Sequence, residues 1–239
     1  MAKYENDVYV IVSFSAGDET ITVDMADGEP DDATIEVIDE DFEITSVDSN
    51  IADVEEYMNA TCTSFDEVKD VADQLGALMA DVEMVNNCVT AFGLEDALEW
   101  AVDDVMNEDQ DMVEDAMEVF GVERGLQLVV NKEVKYMEGI TDDEGLGAFT
   151  VEQFGFPHDV LPYLDLASLA EDLQQDMDED ECERVEAEYG DMITYAQRYV
   201  EDDGLGDNYD PYFDYDAYGH DVYGDYSGGY GSNGFVYTD

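Results

Sequence analysis

Positive charge is what this chain has least of. Seven Lys and Arg stand against sixty-five Asp and Glu in 239 residues, a formal charge of -58. Nucleic-acid binders neutralise phosphates with Lys and Arg, so this balance sets the chain against that class. Histidine is scarcer still: His158 and His220 are the only two, and neither has a neighbour at metal-ligand spacing. His158 follows Pro157, which suggests a helix start and a surface or capping role. The three cysteines, Cys62, Cys88 and Cys182, are odd in number and far apart, with no CxxC pair. They point to a reducing compartment and to buried or incidental thiols rather than metal or redox chemistry. No apolar run approaches the ~18 residues of a membrane span. Met1-Ala2-Lys3-Tyr4-Glu5 lacks the basic start and apolar stretch of a signal peptide, so the expected setting is the cytoplasm. There is no GxxxxGK[ST] phosphate loop, and the glycine-rich tail is acidic and would repel phosphate. Carboxylate pairs are so common here that pairing says nothing about acid–base roles. With no nucleophile–base or metal constellation, the expectation is a protein that is not an enzyme and needs no cofactor.

What is present argues for a folded chain. High net charge makes for disorder only when apolar residues are few, and here 45% are hydrophobic and 11% aromatic. Val8-Tyr9-Val10-Ile11-Val12-Ser13-Phe14 reads as a strand ending at the turn Ala16-Gly17-Asp18. Residues 20–24 alternate, Asp27-Gly28-Glu29-Pro30-Asp31-Asp32 breaks the pattern, and 34–38 and 43–47 read as further strands. The period then changes. Ser64-Phe65-Asp66-Glu67 has the form of a capping box. Phe65, Val68, Val71, Ala72, Leu75, Leu78, Met79 and Val82 follow at helical spacing. After Gly93, the residues Leu94, Ala97, Leu98, Ala101, Val102 and Val105 form a second apolar stripe, and 112–120 a third helix. The tail from Gly204 is rich in glycine and tyrosine: its composition fits a flexible low-complexity tail, while the tyrosine spacing near three, Phe213 and Gly234-Phe235-Val236-Tyr237 fit a helical turn followed by an aromatic strand. The fold expected is α+β, in three parts: a small antiparallel sheet domain (1–60), a helical domain (61–138) and a C-terminal α+β domain (139–239).

A charge of this size resists compaction, and a chain that folds regardless has a use for the field. Duplex DNA carries about one negative charge per 1.7 Å of axis, so half of these charges would cover a DNA-binding groove. On the helix after Gly93, Glu95, Glu99 and Asp103 form one row with Asp96 and Asp104 beside it, spaced about 6 Å apart at the α-helical rise. One such row is an ordinary solvated face. Nearly every polar face here is acidic with almost no Lys between, contrary to the usual mixture of signs. Three of the seven bases, Arg124, Lys132 and Lys135, fall within 122–136, as local ion pairs or as a counter-charged seam. Pro162-Tyr163-Leu164-Asp165-Leu166-Ala167 is echoed by Pro211-Tyr212-Phe213-Asp214-Tyr215-Asp216-Ala217, each after a Gly-Leu-Gly at unequal distance. Duplication and chance both fit that echo.

Tyr189-Gly190-Asp191-Met192-Ile193-Thr194-Tyr195-Ala196, then Val200-Glu201-Asp202-Asp203-Gly204-Leu205 and Tyr212-Phe213-Asp214-Tyr215-Asp216-Ala217-Tyr218-Gly219-His220-Asp221-Val222 resemble the C-terminus of the ArdA-type antirestriction proteins. That family has an acidic "YAxxxVEExGL" helix before a "YFDYEAFxRDL" block and a terminal strand. Ile35-Glu36-Val37-Ile38-Asp39-Glu40-Asp41-Phe42 is similar to its "DYEGF" region. The resemblance implies an elongated, highly acidic homodimer of three small domains, carried by a phage or mobile element. It would evade host defence by occupying the DNA cleft of a type I restriction-modification enzyme. The carboxylates expected to stand in for phosphates are Asp66, Asp70, Asp73, Glu95, Glu99, Asp103, Asp104, Asp202, Asp203, Asp214 and Asp221. The chain is longer than typical members, with the surplus between about 109 and 185. It carries His220 where the family usually has arginine, which would weaken a salt bridge there or make it pH-dependent. Two other readings stay open: adaptation of a halophile's protein to salt, and calcium binding. Asp176-Met177-Asp178-Glu179-Asp180-Glu181 offers the oxygens calcium wants, without the ordered EF-hand loop.

Overall fold

The computed structural model describes residues 8–26, 30–202, 204–206 and 208–239. The chain start, the break at Asp27-Gly28-Glu29 and the candidate carboxylate Asp203 lie outside them. The architecture is α+β, and the chain divides into two compact units, residues 1–136 and 137–239.

In the first unit, β1 (Val10–Ala16) pairs antiparallel with β2 (Glu19–Asp24) through the two-residue turn Gly17-Asp18. Gly17 takes the left-handed φ of +64° that this tight turn needs. After α1 (Asp32–Glu40), β3 (Ile44–Ser49) pairs with the other edge of β1, giving the order β2-β1-β3. Period-2 burial along β1 turns Val10, Val12 and Phe14 inward. They meet Ile38 of α1, Val54 and Met58 of α2 (Val54–Thr61), and Phe65, Val68 and Leu75 of α3 (Phe65–Ala77) in one core. The Phe14 ring lies 5.9 Å from Phe42 and 5.8 Å from Phe65. A side chain of this size, fully buried, contributes about 1.5–3 kcal/mol. The same core continues through α4 (Val82–Phe92), α5 (Leu94–Asp96), a π-helical stretch (Ala97–Ala101), α6 (Val102–Met106), α7 (Gln110–Phe120) and α8 (Val122–Val130).

Three local expectations are corrected. Residues 34–38 are not a strand but lie in α1. Asp31 caps that helix, its Oδ1 accepting from both the Thr34 amide (2.9 Å) and hydroxyl (2.7 Å). A side-chain cap outweighs the β preference of Thr34, Ile35, Val37 and Ile38. The stripe that begins at Phe65 ends at Leu75: Leu78 turns extended, Met79 is 93% exposed, and Asp81 caps α4, so Val82 belongs to the next helix. Only half of the expected capping box forms. Ser64 Oγ accepts from Glu67 N (3.4 Å), while Glu67 reaches back one residue further, to the Thr63 amide and hydroxyl.

The division between the units falls within β4 (Lys135–Glu138), and the second unit continues with α9 (Asp143–Phe154), a 3-10 turn (Leu161–Tyr163), α10 (Leu166–Gln175), α11 (Glu179–Tyr189) and α12 (Met192–Glu201). A second 3-10 turn (Asp210–Tyr212), α13 (Tyr215–Tyr223), β5 (Ser227–Tyr230) and β6 (Gly234–Thr238) complete it. Its sheet has the order β4-β6-β5, so the tail is the expected helix and aromatic strand. His158 is exposed in the loop after α9 rather than at a helix start, because Gly155, at φ +82°, ends α9 and no new helix begins before Leu161. α9 and α13 cross at backbone contact. A Cβ on Gly219 would lie 1.7 Å from the Asp143 carbonyl oxygen, and one on Gly147 2.0 Å from that of Tyr215. Gly219→Ala is therefore expected to force the helices apart at a cost of about 1–3 kcal/mol. A thermal melt should show it as a lowered midpoint, and an unchanged midpoint would mean the crossing is looser than described.

Candidate functional site

The ionisable chemistry of this protein is on its outside. Among the described residues, every Asp and Glu is exposed except the half-buried Asp24, Glu108, Asp143 and Glu181 and the buried Asp115. The concavity beside Lys69 and Asp73, about 510 Å³, is lined by Val8, Val10, Met25 and Ala72 around that one ion pair. Among the described residues no group of three or more His, Cys, Asp or Glu is placed to hold a metal ion, and no helix is long and apolar enough to cross a membrane.

Ten of the eleven carboxylates expected to stand in for phosphates are described, and all ten are exposed. Seven belong to the first unit. Asp66, Asp70 and Asp73 lie on the solvent side of α3, whose other side carries Val68, Val71, Ala72 and Leu75 into the core. Asp73 is the least free of the three, because Lys69 Nζ sits 2.6 Å from its Oδ1. Glu95, Glu99, Asp103 and Asp104 follow one another along α5, the π-helical stretch and α6. In an unbroken α-helix, residues eight apart drift about 80° around the axis. The wider i→i+5 wind of the π-helical stretch works against that drift along the Glu95, Glu99 and Asp103 row. Trp100 lies in the same stretch, its Nε1 donating to Asp96 Oδ1 at 3.3 Å and its ring edge-on to Phe92.

The three in the second unit differ in kind. Asp202 is exposed at the C-cap of α12. Asp214 caps α13, accepting from the Ala217 amide at 3.0 Å. Asp221 accepts from the Tyr163 hydroxyl at 2.9 Å. These two hold the fold as well as facing solvent.

Capping is a task for aspartate throughout. Asp31, Asp81, Asp109, Asp142, Asp165, Asp178, Asp191 and Asp214 each accept from a first-turn amide, where the helix dipole favours an anion. None of these aspartate caps was read as a cap from the sequence, where acids are everywhere; only Ser64 was. A second device is the tyrosine–aspartate hydrogen bond. Tyr212 donates to Asp172 (2.9 Å), Tyr215 to Asp210 (2.5 Å) and Tyr230 to Asp143 (2.6 Å). The bond to Asp221 and then burial raise Tyr163; the bond to Asp172 and then burial raise Tyr212. Burial first, and then Asp210, pushes Tyr215 up to about 12. The remaining oxygen of Asp143 meets His220 Nδ1 at 3.0 Å, which supplies the partner for the position where arginine was expected.

Fold and surface together define an acidic α+β protein whose carboxylates are directed outward and held in place largely without cations. The chain belongs to the ArdA antirestriction protein family, whose family model matches residues 106–237, more than half its length. No curated protein and no solved structure matches it.

The caps give stability a definite pH dependence. Hydrogen bonds from Thr34, Ser168 and Thr194 hold Asp31, Asp165 and Asp191 below the usual carboxylate range, and those from Thr63 do so for Glu67. A carboxylate depressed on folding stabilises above its unfolded pKa, and that contribution is lost as pH falls through the folded value. Protonation elsewhere relieves self-repulsion. The thermal midpoint is therefore expected to rise from pH 7 to about 5 and to fall below about 3.5, with 1 M salt flattening only the first limb. A midpoint still rising at pH 3, measured in dilute protein because of the pI of 4.1, would show that the caps contribute little.

Proposed function

We propose that the protein inhibits a type I restriction-modification enzyme by occupying its DNA-binding cleft, with carboxylates where DNA has phosphates. The observation that carries this reading is the exposure of almost every described acid in a chain with seven Lys and Arg. The family supplies the antirestriction role; the charge supplies the mechanism. A DNA-processing enzyme arranges Lys and Arg to meet one negative charge per ~1.7 Å of duplex. Free carboxylates on α3 and along α5 to α6 offer such charges from rigid helices, which lose little entropy when the enzyme closes on them. Tyrosine donors serve the reading too, because a Tyr–Asp bond fixes a carboxylate without cancelling its charge. In this reading the protein acts in the host cytoplasm, as the homodimer its family implies.

The test is competition. The purified enzyme is bound to labelled DNA and challenged with this protein at two salt concentrations. Displacement near stoichiometric protein is expected, weaker by at least about tenfold at the higher salt, as for DNA itself. No displacement by folded protein would remove this target. A second experiment locates the field. Asp66, Asp70, Glu95, Glu99, Asp103 and Asp104 are exposed and off the core, so their Asn or Gln variants should stay folded by circular dichroism. At about 0.2–1 kcal/mol for each exposed pair lost, changing all six should weaken inhibition in steps, by roughly eightfold at the least and about ten-thousandfold at the most. Unchanged inhibition would count against mimicry.

A further inference from the structure

The echo noticed in the sequence has a register of 49 residues, and in that register it extends far beyond the two Pro-Tyr segments. Asp142, Gly155, Pro162, Tyr163, Asp165 and Asp172 recur as Asp191, Gly204, Pro211, Tyr212, Asp214 and Asp221. The Gly-Leu-Gly landmarks do not correspond: Gly145 lies inside α9, whereas Gly204 follows α12. The structures do correspond. In each copy an Asp caps a helix (Asp142 on α9, Asp191 on α12), a 3-10 turn containing Pro-Tyr follows, and a second Asp caps a second helix (Asp165 on α10, Asp214 on α13).

The two copies hold each other reciprocally. Leu164 and Phe213 form an antiparallel bridge; Asp165 N donates to the Tyr212 carbonyl (2.8 Å) and Asp214 N to that of Tyr163 (2.7 Å). Tyr163 of the first copy donates to Asp221 of the second, and Tyr212 of the second to Asp172 of the first, both at 2.9 Å. The first helix of each copy packs on the second helix of the other, α9 with α13 and α12 with α10. Small residues occupy equivalent places at both crossings: Gly147 and Gly219 at one, Ala196 and Ala170 at the other, all buried. Residue i touching j while j touches i is the mark of an isologous, two-fold interface.

We infer that residues 142–175 and 191–224 are two copies of one unit, and that each copy's inner face is a self-complementary docking surface whose partner is the other copy in the same chain. α11, which joins them, buries no residue, as befits a tether. One chain thus achieves what two single-copy chains would have to achieve by dimerising, and this face is closed to a second protein molecule. A homodimer would have to use a different face.

The test places cysteines at the dyad. Leu164 and Phe213 form a non-hydrogen-bonded antiparallel pair, for which Cα atoms are about 4.5 Å apart, within disulfide range. The full chain carrying Leu164→Cys, Phe213→Cys and Cys182→Ser is oxidised while dilute and again while concentrated. A disulfide-linked monomer at both concentrations is expected. Covalent dimers, or no bond in folded protein, would overturn the proposal. Phe213 is buried among the rings of Phe156, Tyr163, Tyr215 and Tyr218, so that variant is paired with a milder one. Tyr163→Phe with Asp221→Asn, and Tyr212→Phe with Asp172→Asn, should each lower the thermal midpoint by less than the sum of their single changes. The mismatched pair Tyr163→Phe with Asp172→Asn should be additive. Coupling in the mismatched pair, or none in the matched ones, would refute the reciprocal pairing.

Discussion

Everything in this structure is arranged around one electrostatic constraint: a chain with a net charge of -58 must collapse onto apolar cores while keeping its carboxylates hydrated. Ionised carboxylates taken out of water without partners are prohibitively costly, and there are too few cations to pair them. The fold answers by sending almost all of them outward on helices. A helix gives each acid a rigid base and turns the apolar stripe inward, so the mainly helical build follows from the charge.

The same scarcity of cations shapes the internal chemistry. Proteins of ordinary composition fix carboxylates with Lys and Arg; here aspartates accept from helix N-terminal amides, and tyrosine hydroxyls take the place of ammonium and guanidinium groups. Both devices use neutral donors. Salt bridges such as Arg198 with Glu201 and Lys69 with Asp73 remain as local supports. A surface held this way keeps its negative field, which is the property an inhibitor competing with DNA requires.

Within the second unit, neutral donors also build the interface between the two copies. Apart from the contact of His220 with Asp143, its polar bonds are amide to carbonyl and tyrosine to aspartate, and its helix crossings depend on small residues that let backbones touch. Gly147 and Gly219 are needed there for the space they leave, not for their conformational freedom, because neither adopts a left-handed φ.

Elements with strong periodicity were readable from the chain: β1, α3 and the helix after Gly93 declare themselves by burial pattern, and charge alone announced a surface of carboxylates. Local signals failed where two of them conflicted. Thr34 to Ile38 looks like a strand until Asp31 is recognised as a cap, and a cap is hard to see in a sequence with sixty-five acids. The π-helical stretch within the Glu95–Asp103 row has no signature in composition. Candidate acids could be chosen, but Asp73 beside Lys69 and Asp221 bonded by Tyr163 could not be told from freer ones. By itself, then, the sequence determined the sign and scale of the field, the fold class and the family, because these depend on composition and on near-neighbour spacing. Which acids cap helices and which pair with a cation depends on local side-chain geometry that spacing does not reveal, and that the Pro-Tyr echo is a pair of interlocked copies was decided by tertiary structure, since it rests on contacts between residues 40 to 58 positions apart.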